Sequence, residues 1–325
     1  MWIVFSKCRV ERASPSKLVT ISTSPGCRTR SNQVTLSKLA ENGPRTYIGT
    51  EAASATSGPV GGERQRQRES GDPMCGRVRL SNDYSEIKIR LRFDANAPAP
   101  NLRASWNIPP TGDMLVATYT ADGRRISETM RWGLVPWWAK DIKAGLSTFN
   151  ARAETIATKP AFRDAWRKAQ RCLVVTNGFY EWRKSDRQPF AVGMSDDDLM
   201  VMAGLWDEWK SPAGERIKSC TVITCEPNRI VGTLHNRMPV ILDECDWAKW
   251  LGECPATEDE LKALLAPCPD ERASIWPVHR KVGNVRNDGR ELAEPVVNQS
   301  SLPGMTGLPA DVDVKCRRGA YRHDR

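Results

Sequence analysis

Cys75 is the residue of this sequence with the most distinctive chemical potential, because it directly follows Met74. If Met74 is the initiator, its removal leaves a thiol and an α-amine on one residue. Their unperturbed pKa values are about 8.5 and about 7.7–8.0, so both react near neutral pH. The amine of such a 1,2-aminothiol forms an imine with an aldehyde, and the thiol then closes a five-membered thiazolidine ring. The alternative is an internal Cys in a loop before a strand, which is the more common use of Cys.

A second segment places three polar side chains at alternating positions. Asn150 offers a donor and an acceptor, and Arg152 carries a planar fork suited to phosphate. In a strand, these two residues and Glu154 share one face, which argues against burial of that face in an apolar core. A face exposed to solvent explains the same pattern equally well.

Two further residues suit proton transfer. Glu181 follows an apolar strand and lies among aromatic residues, so we expect a partly desolvated carboxyl with a raised pKa. His235, one of three histidines, lies in a turn-like stretch and is a natural acid or base near neutral pH. An exposed Glu at a strand end and a loop His with a purely structural hydrogen bond are the alternatives.

Aromatic residues accompany these segments. The stretch Arg131–Trp138 contains a proline, and its adjacent Trp137 and Trp138 cannot share one face of a strand. At least one is therefore expected at the surface, where base stacking contributes about 1–3 kcal/mol per base. Trp106–Pro110, which includes Pro109, is a second rigid aromatic turn. Three other tryptophans are expected in the core: Trp132, Trp166 and Trp206.

The elements that must position these residues are mostly short strands. Apolar runs and turn signals predict strands over 115–119, 126–132, 172–176, 189–194, 199–206 and 219–225. Helical spacing predicts helices over 159–171, 246–251 and 258–265, while 87–93 fits either type. The pattern predicts an α+β fold: a single domain built on antiparallel, barrel-like β-structure with flanking short helices.

The two ends differ in composition from the middle. Residues 1–73 are rich in Ser, Thr, Gly and Arg, which predicts a disordered arm or a mis-assigned start, and 297–325 reads as a flexible tail. Residues 74–296 form the predicted domain. The sequence has no apolar run of about 18 residues and no secretory signal pattern, so we expect no membrane span and a cytoplasmic protein, nucleoid-associated if bacterial. An organellar transit peptide fits the first 40 residues weakly.

The net charge of +9 suggests a polyanionic partner, but the charge is unevenly distributed. Residues 74–296 hold 32 basic and 30 acidic residues. This excludes a uniformly basic nucleic-acid surface on the domain and restricts any anion site to a local patch. The ten cysteines form no CxxC pair and no Cys/His cluster with zinc spacing, so no metal, organic cofactor or disulfide framework is expected.

The chemistry-bearing segments, taken together, resemble the SRAP (SOS response-associated peptidase) family. The resemblance is carried by seven motifs in order from about 74 to 296: Met-Cys-Gly-Arg at 74–77, Trp-Asn-Ile-Pro-Pro at 106–110, Arg-Trp-Gly-Leu-Val-Pro-Trp-Trp at 131–138, Asn-Ala-Arg-Ala-Glu-Thr at 150–155, Gly-Phe-Tyr-Glu-Trp at 178–182, His-Asn-Arg-Met-Pro at 235–239 and Val-Gly-Asn-Val-Arg-Asn-Asp at 282–288.

This resemblance implies a sensor of abasic sites in single-stranded DNA that cross-links covalently to the ring-opened sugar aldehyde. By motif position, Cys75 is the nucleophile, Glu181 handles protons during imine formation, and His235 assists sugar ring opening and resolution of the adduct. Asn150 orients the Cys75 amine. The DNA-binding residues that the resemblance implies are Arg77 and Arg152 on phosphates, Trp137 and Trp138 on bases, and Pro109.

The resemblance also implies lyase and self-processing peptidase activities, and we expect a monomer. The chemistry requires a free Cys75 amine, so the preceding 73 residues and Met74 must be absent or removed. Two other functions remain open. Cys75, His235 and Asn150 could form a thiol peptidase, or the domain could be a non-catalytic single-strand binding module.

Overall fold

The computed structural model of the protein describes residues 76–101 and 103–296. The predictions for Cys75, for the arm 1–73 and for the tail 297–325 lie outside the described residues. Within the described part, the chain forms strands β1 Val78–Leu80, β2 Ser105–Ile108, β3 Asp113–Tyr119, β4 Arg125–Trp132, β5 Asn150–Arg152, β6 Arg171–Thr176, β7 Gly178–Trp182, β8 Pro189–Met194, β9 Met200–Lys210, β10 Arg216–Cys225, β11 Met238–Pro239 and β12 Ala273–Pro277.

The helices between these strands are short. The α-helices are α1 Tyr84–Leu91, α2 Arg163–Arg167, α3 Glu244–Leu251 and α4 Glu258–Ala263. Single 3-10 turns occur at Ile142–Ser147, Ala153–Thr155, Val231–Thr233, Asp270–Arg272, Arg280–Gly283 and Arg290–Leu292. None of the described helices is long and apolar enough to span a membrane.

Five strands close into a barrel. β10 pairs with β9, β9 with β6, β6 with β3 and β3 with β4, all antiparallel, and β4 returns to β10 in parallel. β5 adds to the end of β10 in parallel and β11 adds in antiparallel orientation. The predicted α+β, barrel-like fold is therefore confirmed, but the barrel is mixed because β10 has parallel neighbours.

A second sheet of five strands has the order β12-β8-β7-β1-β2, with every pair antiparallel. Side chains alternate between its faces. Phe179 and Val192 face the main hydrophobic core, whereas Tyr180 and Ala191 face a small second core, to which the segment 278–292 contributes Val278, Val282 and Leu292. The chain after β12 thus folds back over the outer face of this sheet.

The structure corrects one predicted helix and settles one segment that the sequence left ambiguous. The helix predicted over 159–171 is wrong in extent, since α2 spans only five residues; Pro160 removes a donor and Ala169 adopts a left-handed φ of 55°. Phe162, Ala165 and Trp166 are buried as expected, but Ala169 is exposed. The ambiguous stretch 87–93 belongs mostly to helix α1, which is capped by the Asp83 side chain.

Candidate active site

A cavity of about 590 Å³ collects several of the chemically interesting residues. Its volume lies within the range of about 300–1,000 Å³ that is typical of ligand pockets. The residues that line it come from the segment before β1, from β7 and the β7–β8 loop, and from loops beside the barrel: Gly76, Arg77, Pro110, Leu146, Phe149, Glu181, Trp182, Lys184, Arg187, His235 and Gly283.

Glu181 enters the cavity from strand β7. The strand places Glu181 on the same face as Phe179, opposite Phe190 of β8, and leaves its side chain only 4% exposed. The predicted desolvation of this carboxyl is therefore confirmed, and the alternative of an exposed strand-end Glu is wrong. A buried carboxyl at a cavity wall is in the position that a proton-transfer group requires.

His235 lies two residues after the end of the 3-10 turn Val231–Thr233 and is 6% exposed. Its backbone N–H donates to the Val231 carbonyl (3.1 Å), and its Nδ1 accepts a hydrogen bond from the backbone N–H of Arg237 (3.2 Å). Because Nδ1 accepts, the neutral imidazole carries its proton on Nε2. The loop therefore fixes the tautomer of a buried imidazole whose side chain lines the same cavity as Glu181.

Arg77 connects the cavity to the loop after β12. Its Nη1 donates to Oδ1 of Asn107 (2.9 Å) and to the Val282 carbonyl (2.7 Å), and its Nη2 donates to the Gly283 carbonyl (3.1 Å). Burial lowers the pKa of this guanidinium. Arg77 thus holds the cavity wall together in addition to placing a positive charge there.

Two cations of the cavity were missed at the sequence level. Lys184 and Arg187 lie in the exposed loop between β7 and β8. Arg280 supports this loop by donating to the carbonyls of Asp186 (3.2 Å) and Arg187 (3.4 Å). With Arg77, they give a local positive patch on a domain of almost balanced charge. The signal available in the sequence was the basic run that follows the Gly-Phe-Tyr-Glu-Trp motif.

Asn150 and Arg152 lie on β5, which pairs in parallel with β10. Phe149, one residue earlier, lines the cavity, whereas Arg152 is exposed and lines no part of it. The single polar face predicted for 150, 152 and 154 is wrong, because the strand ends at Arg152. Glu154 lies in a 3-10 turn and pairs with Arg237 (2.5 Å).

Trp137 and Trp138 are both exposed, by 53% and 48%, so the expectation of surface aromatics is confirmed. Trp137 is held in place: its Nε1 donates to Asp164 (3.1 Å), and the Lys168 ammonium lies 5.4 Å from its ring centroid. Neither tryptophan lines the cavity. Of the tryptophans predicted to be core residues, Trp132 and Trp166 are buried and Trp206 is partly buried.

The structure thus brings together part of the predicted site. Of the predicted residues that it describes, Arg77, Glu181 and His235 line the cavity, whereas Asn150, Arg152, Trp137, Trp138 and Pro109 do not; the neighbour of Pro109, Pro110, does. Gly76, the residue next to Cys75 in the chain, also lines the cavity. No cluster of three or more metal-ligating side chains occurs among the described residues.

Comparisons with known proteins show the family of this chain. The model of the SOS response associated peptidase (SRAP) family matches residues 74–285, which include every residue that lines the cavity. The chain belongs to the SRAP family. The match covers all seven sequence motifs except the last three residues of the seventh, Arg286–Asp288.

Named relatives extend the comparison. Abasic site processing protein YoqW of Bacillus subtilis (strain 168) is 34% identical over 224 residues, which cover 68% of this chain and 99% of YoqW. Abasic site processing protein YMR114C of Saccharomyces cerevisiae is 33% identical over 263 residues and 70% of each chain. Abasic site processing protein HMCES of Xenopus tropicalis is 34% identical and covers 56% of this chain and 61% of HMCES.

Solved structures support the fold. A protein from Bacteroides thetaiotaomicron superposes with a TM-score of 0.60 at 22% identity and covers 69% of this chain and all of its own. A protein from Bordetella bronchiseptica superposes with a TM-score of 0.55 at 26% identity over 63% of this chain. The SRAP domain of this chain therefore has the fold of these solved proteins.

Proposed function

We propose that this protein recognises abasic sites in single-stranded DNA and cross-links to them through Cys75 as the N-terminal residue. The observation that carries the proposal is the cavity in which a buried carboxyl, a buried imidazole and three cations meet beside Gly76. The names of the SRAP relatives, abasic site processing proteins, support abasic DNA as the target.

The chemistry balances without an oxidant or a metal. The Cys75 amine attacks the C1′ aldehyde of the ring-opened sugar, and loss of one water gives an imine. The thiol then adds to the imine carbon while its proton moves to the nitrogen, which closes the thiazolidine ring. Both the departing hydroxyl and the attacking amine require proton transfer, and the buried Glu181 carboxyl suits that role.

The remaining cavity residues suit the other steps. His235, with its proton on Nε2, suits the proton transfers that open the furanose ring and resolve the adduct. Arg77, Lys184 and Arg187 suit the phosphates that flank the sugar. We further propose that Asn150, Arg152, Pro109, Trp137 and Trp138 contact the strand outside the cavity.

The proposal requires that nothing precedes Cys75 in the active protein, through initiation at Met74 followed by Met removal or through cleavage. N-terminal sequencing of the native protein is expected to read Cys-Gly-Arg-Val. Mature protein that still carries Met1 would contradict thiazolidine formation.

The decisive experiment incubates protein that starts at Met74 with abasic single-stranded DNA and resolves the products by denaturing electrophoresis. A slow-migrating adduct is expected. It should be lost on Cys75→Ala and on chemical blocking of the N-terminal amine, and kept in the matched control Cys254→Ala, which removes an exposed thiol.

Two outcomes would indicate a different function. Turnover of peptides by protein with a blocked amine would indicate the thiol peptidase. Salt-sensitive DNA binding without a heat-stable adduct would indicate a non-catalytic single-strand binding module.

A further inference from the structure

A second pocket lies on the outer face of the five-stranded sheet and contains none of the residues assigned above. It has a volume of about 470 Å³. Trp106 of β2 and Trp276 of β12 line it, together with Arg79 of β1 and Ser274 of β12, and Asp197, Arg290 and Glu294 lie around it. Two aromatic residues and a guanidinium in one concave site are the combination that nucleotides bind.

Arg79 is the unusual residue of this pocket. Its guanidinium carbon lies 5.5 Å from the ring centroid of Trp276. Within the part of the chain that the structure describes, its buried Nε has no hydrogen-bond acceptor. Burial lowers the pKa of Arg79, an effect that Tyr180 and Asp197 partly oppose. A guanidinium that is partly removed from water ordinarily has anionic or carbonyl partners, and a ligand in the pocket could supply such an acceptor to the terminal nitrogens of Arg79.

Two glycines, Gly178 and Gly193, leave space for the side chain of Arg79 and the indole ring of Trp276. Arg79 lies opposite Gly178 of β7, and Ser274 lies opposite Gly193 of β8. A Cβ on Gly193 would lie 2.9 Å from Cη2 of Trp276 and 3.2 Å from Nη2 of Arg79, and one on Gly178 would lie 3.3 Å from that Nη2. Side chains at these positions would displace the guanidinium and the indole.

Hydrogen bonds hold the indole of Trp276 and the backbone of Trp106. Nε1 of Trp276 donates to the Ala293 carbonyl (2.7 Å). The backbone carbonyl of Trp106 accepts from the Tyr180 hydroxyl (2.9 Å), and its backbone N–H donates to Oδ1 of Asp288 (2.5 Å). A rigid aromatic wall reduces the entropy lost when a flat ring stacks against it.

The charge around the pocket limits the ligand. Arg79 and Arg290 are positive, while Asp197 and Glu294 are negative. This balance favours an anion of low charge, such as a single phosphodiester or phosphomonoester, over a polyphosphate. The pocket also adjoins the first cavity along the chain: Arg77 lines that cavity and Arg79 lines this one, about 6.6 Å further along an extended segment.

We propose that this pocket binds one nucleotide, with its base against the tryptophan-lined wall and its phosphate on Arg79. The chemistry fits a nucleotide that flanks the abasic site in the bound strand and also fits a free nucleotide. The first source rests on the proposed function, in that it requires the strand to occupy the neighbouring cavity.

The test measures binding without cross-linking. The full chain carrying Cys75→Ser is titrated with fluorescent single-stranded oligonucleotides that contain a tetrahydrofuran abasic analogue. A second base is removed in turn at each flanking position. Loss of the base that occupies the pocket is expected to weaken binding about 10-fold, whereas removal at other positions has smaller effects.

Arg79→Gln is the diagnostic variant, and Arg124→Gln, in the β3–β4 turn and outside both pockets, is its control. Arg79→Gln should abolish the position-specific effect and leave Tm unchanged or raised, because it removes a partly buried charge whose Nε makes no hydrogen bond. Arg124→Gln should preserve the effect. Equilibrium dialysis with dAMP provides the second arm: dAMP binding that Arg79→Gln abolishes, with no flanking-base effect, would assign the pocket to a free nucleotide.

The absence of both a flanking-base effect and dAMP binding would overturn the inference, as would a lower Tm of Arg79→Gln with unchanged binding. Cross-linking of authentic abasic DNA by unmodified Cys75 is measured separately. A normal adduct without a flanking-base effect or dAMP binding would therefore refute the second pocket alone, and the absence of the adduct would refute the proposed function.

Discussion

At the scale of single residues, Glu181 differs from most carboxyls of this protein because its side chain is only 4% exposed and lines a cavity that also contains His235. An amide at this position keeps the shape but cannot transfer a proton. Glu181→Gln is therefore expected to slow adduct formation by about 10²-fold or more, as measured by quenched time courses on denaturing gels. Glu215→Gln, in the exposed β9–β10 turn, is the control, and an unchanged rate in Glu181→Gln would exclude the proton-transfer role.

The contacts of Asn107 give this residue a structural role. It is 3% exposed; its Nδ2 lies within hydrogen-bond distance of the carbonyls of Val282 (3.2 Å), Asn284 (3.1 Å) and Asn287 (2.8 Å), and its Oδ1 accepts from Arg77. The Asn107 amide therefore holds in place the segment 282–287, whose Gly283 lines the cavity.

Asn107→Asp replaces this donor with a carboxylate facing carbonyl oxygens. We expect the free energy of unfolding to fall by about 1–3 kcal/mol, because the loop carbonyls lose their donor and face a negatively charged oxygen. Urea denaturation measures the change. The exposed Asn101→Asp serves as the control, and equal urea midpoints for the two variants would contradict the assigned role.

At the scale of elements, the segment that carries Trp137 and Trp138 depends on a close approach of two backbones. Gly133 has a φ of +119°, and a Cβ there would lie 2.3 Å from the Gly145 carbonyl oxygen. The segment is also held by hydrogen bonds from its backbone N–H groups to Ser219 Oγ (2.8 Å) and Asp207 Oδ2 (3.0 Å). The exposed Trp137 and Trp138 therefore lie on a segment whose backbone is held by hydrogen bonds.

Gly133→Ala is expected to destabilise the protein by about 1–3 kcal/mol or more, since it combines backbone strain with a backbone clash. Thermal unfolding measures the loss. In the control Gly232→Ala, the added Cβ would lie 3.6 Å from Pro227, an ordinary contact, and Tm should change little. A Gly133→Ala variant as stable as Gly232→Ala would show that the segment yields more readily than its contacts suggest.

At the scale of the whole molecule, the near balance of 32 basic and 30 acidic residues in 74–296 limits electrostatic attraction to DNA. Three cavity cations, Arg77, Lys184 and Arg187, together with Arg152 outside the cavity and Arg79 in the second pocket, imply about three to five phosphate contacts. For protein starting at Met74, the slope of log K against log salt should then be about −2 to −3.5 for single strands. Lys184→Ala should make the slope shallower by about 0.7 and Lys210→Ala should not; a slope steeper than about −5 would reveal a larger basic surface.

The distribution of thiols is also a property of the whole fold. Burial raises the pKa of Cys220 and Cys225 to about 12 and places the pKa of Cys172 well above its usual range. At pH 8, the thiolate fraction of a group with a pKa of about 12 is on the order of 10⁻⁴.

Alkylation of the native protein at pH 8, followed by peptide mass spectrometry, should therefore label the exposed Cys245 and Cys254. The buried Cys172, Cys220, Cys225 and Cys268 should react only in denaturant. Rapid native labelling of a buried thiol would show local opening of the barrel.

The local residue pattern was sufficient to predict most of the strands and several candidate residues of this protein. Apolar runs predicted most strands, because side-chain alternation and turn residues act over a few positions. Residue type alone identified Glu181 and His235 as candidates for proton transfer, and the adjacency of Trp137 and Trp138 predicted exposed aromatics. The predicted helix over 159–171 was wrong because a proline and a left-handed Ala169 interrupt its spacing.

Only the tertiary structure determined which of the candidate residues lie in the same cavity. β7, the loop before Met238 and the chain before β1 are far apart in sequence, and pairing across two sheets brings Glu181, His235 and Arg77 to one cavity. The parallel closure of β4 on β10, the contribution of Lys184 and Arg187, and the Arg79 pocket likewise depend on contacts between distant segments. Sequence determines which groups are available, but long-range packing determines their distances, and proton transfer and ligand binding depend on distance.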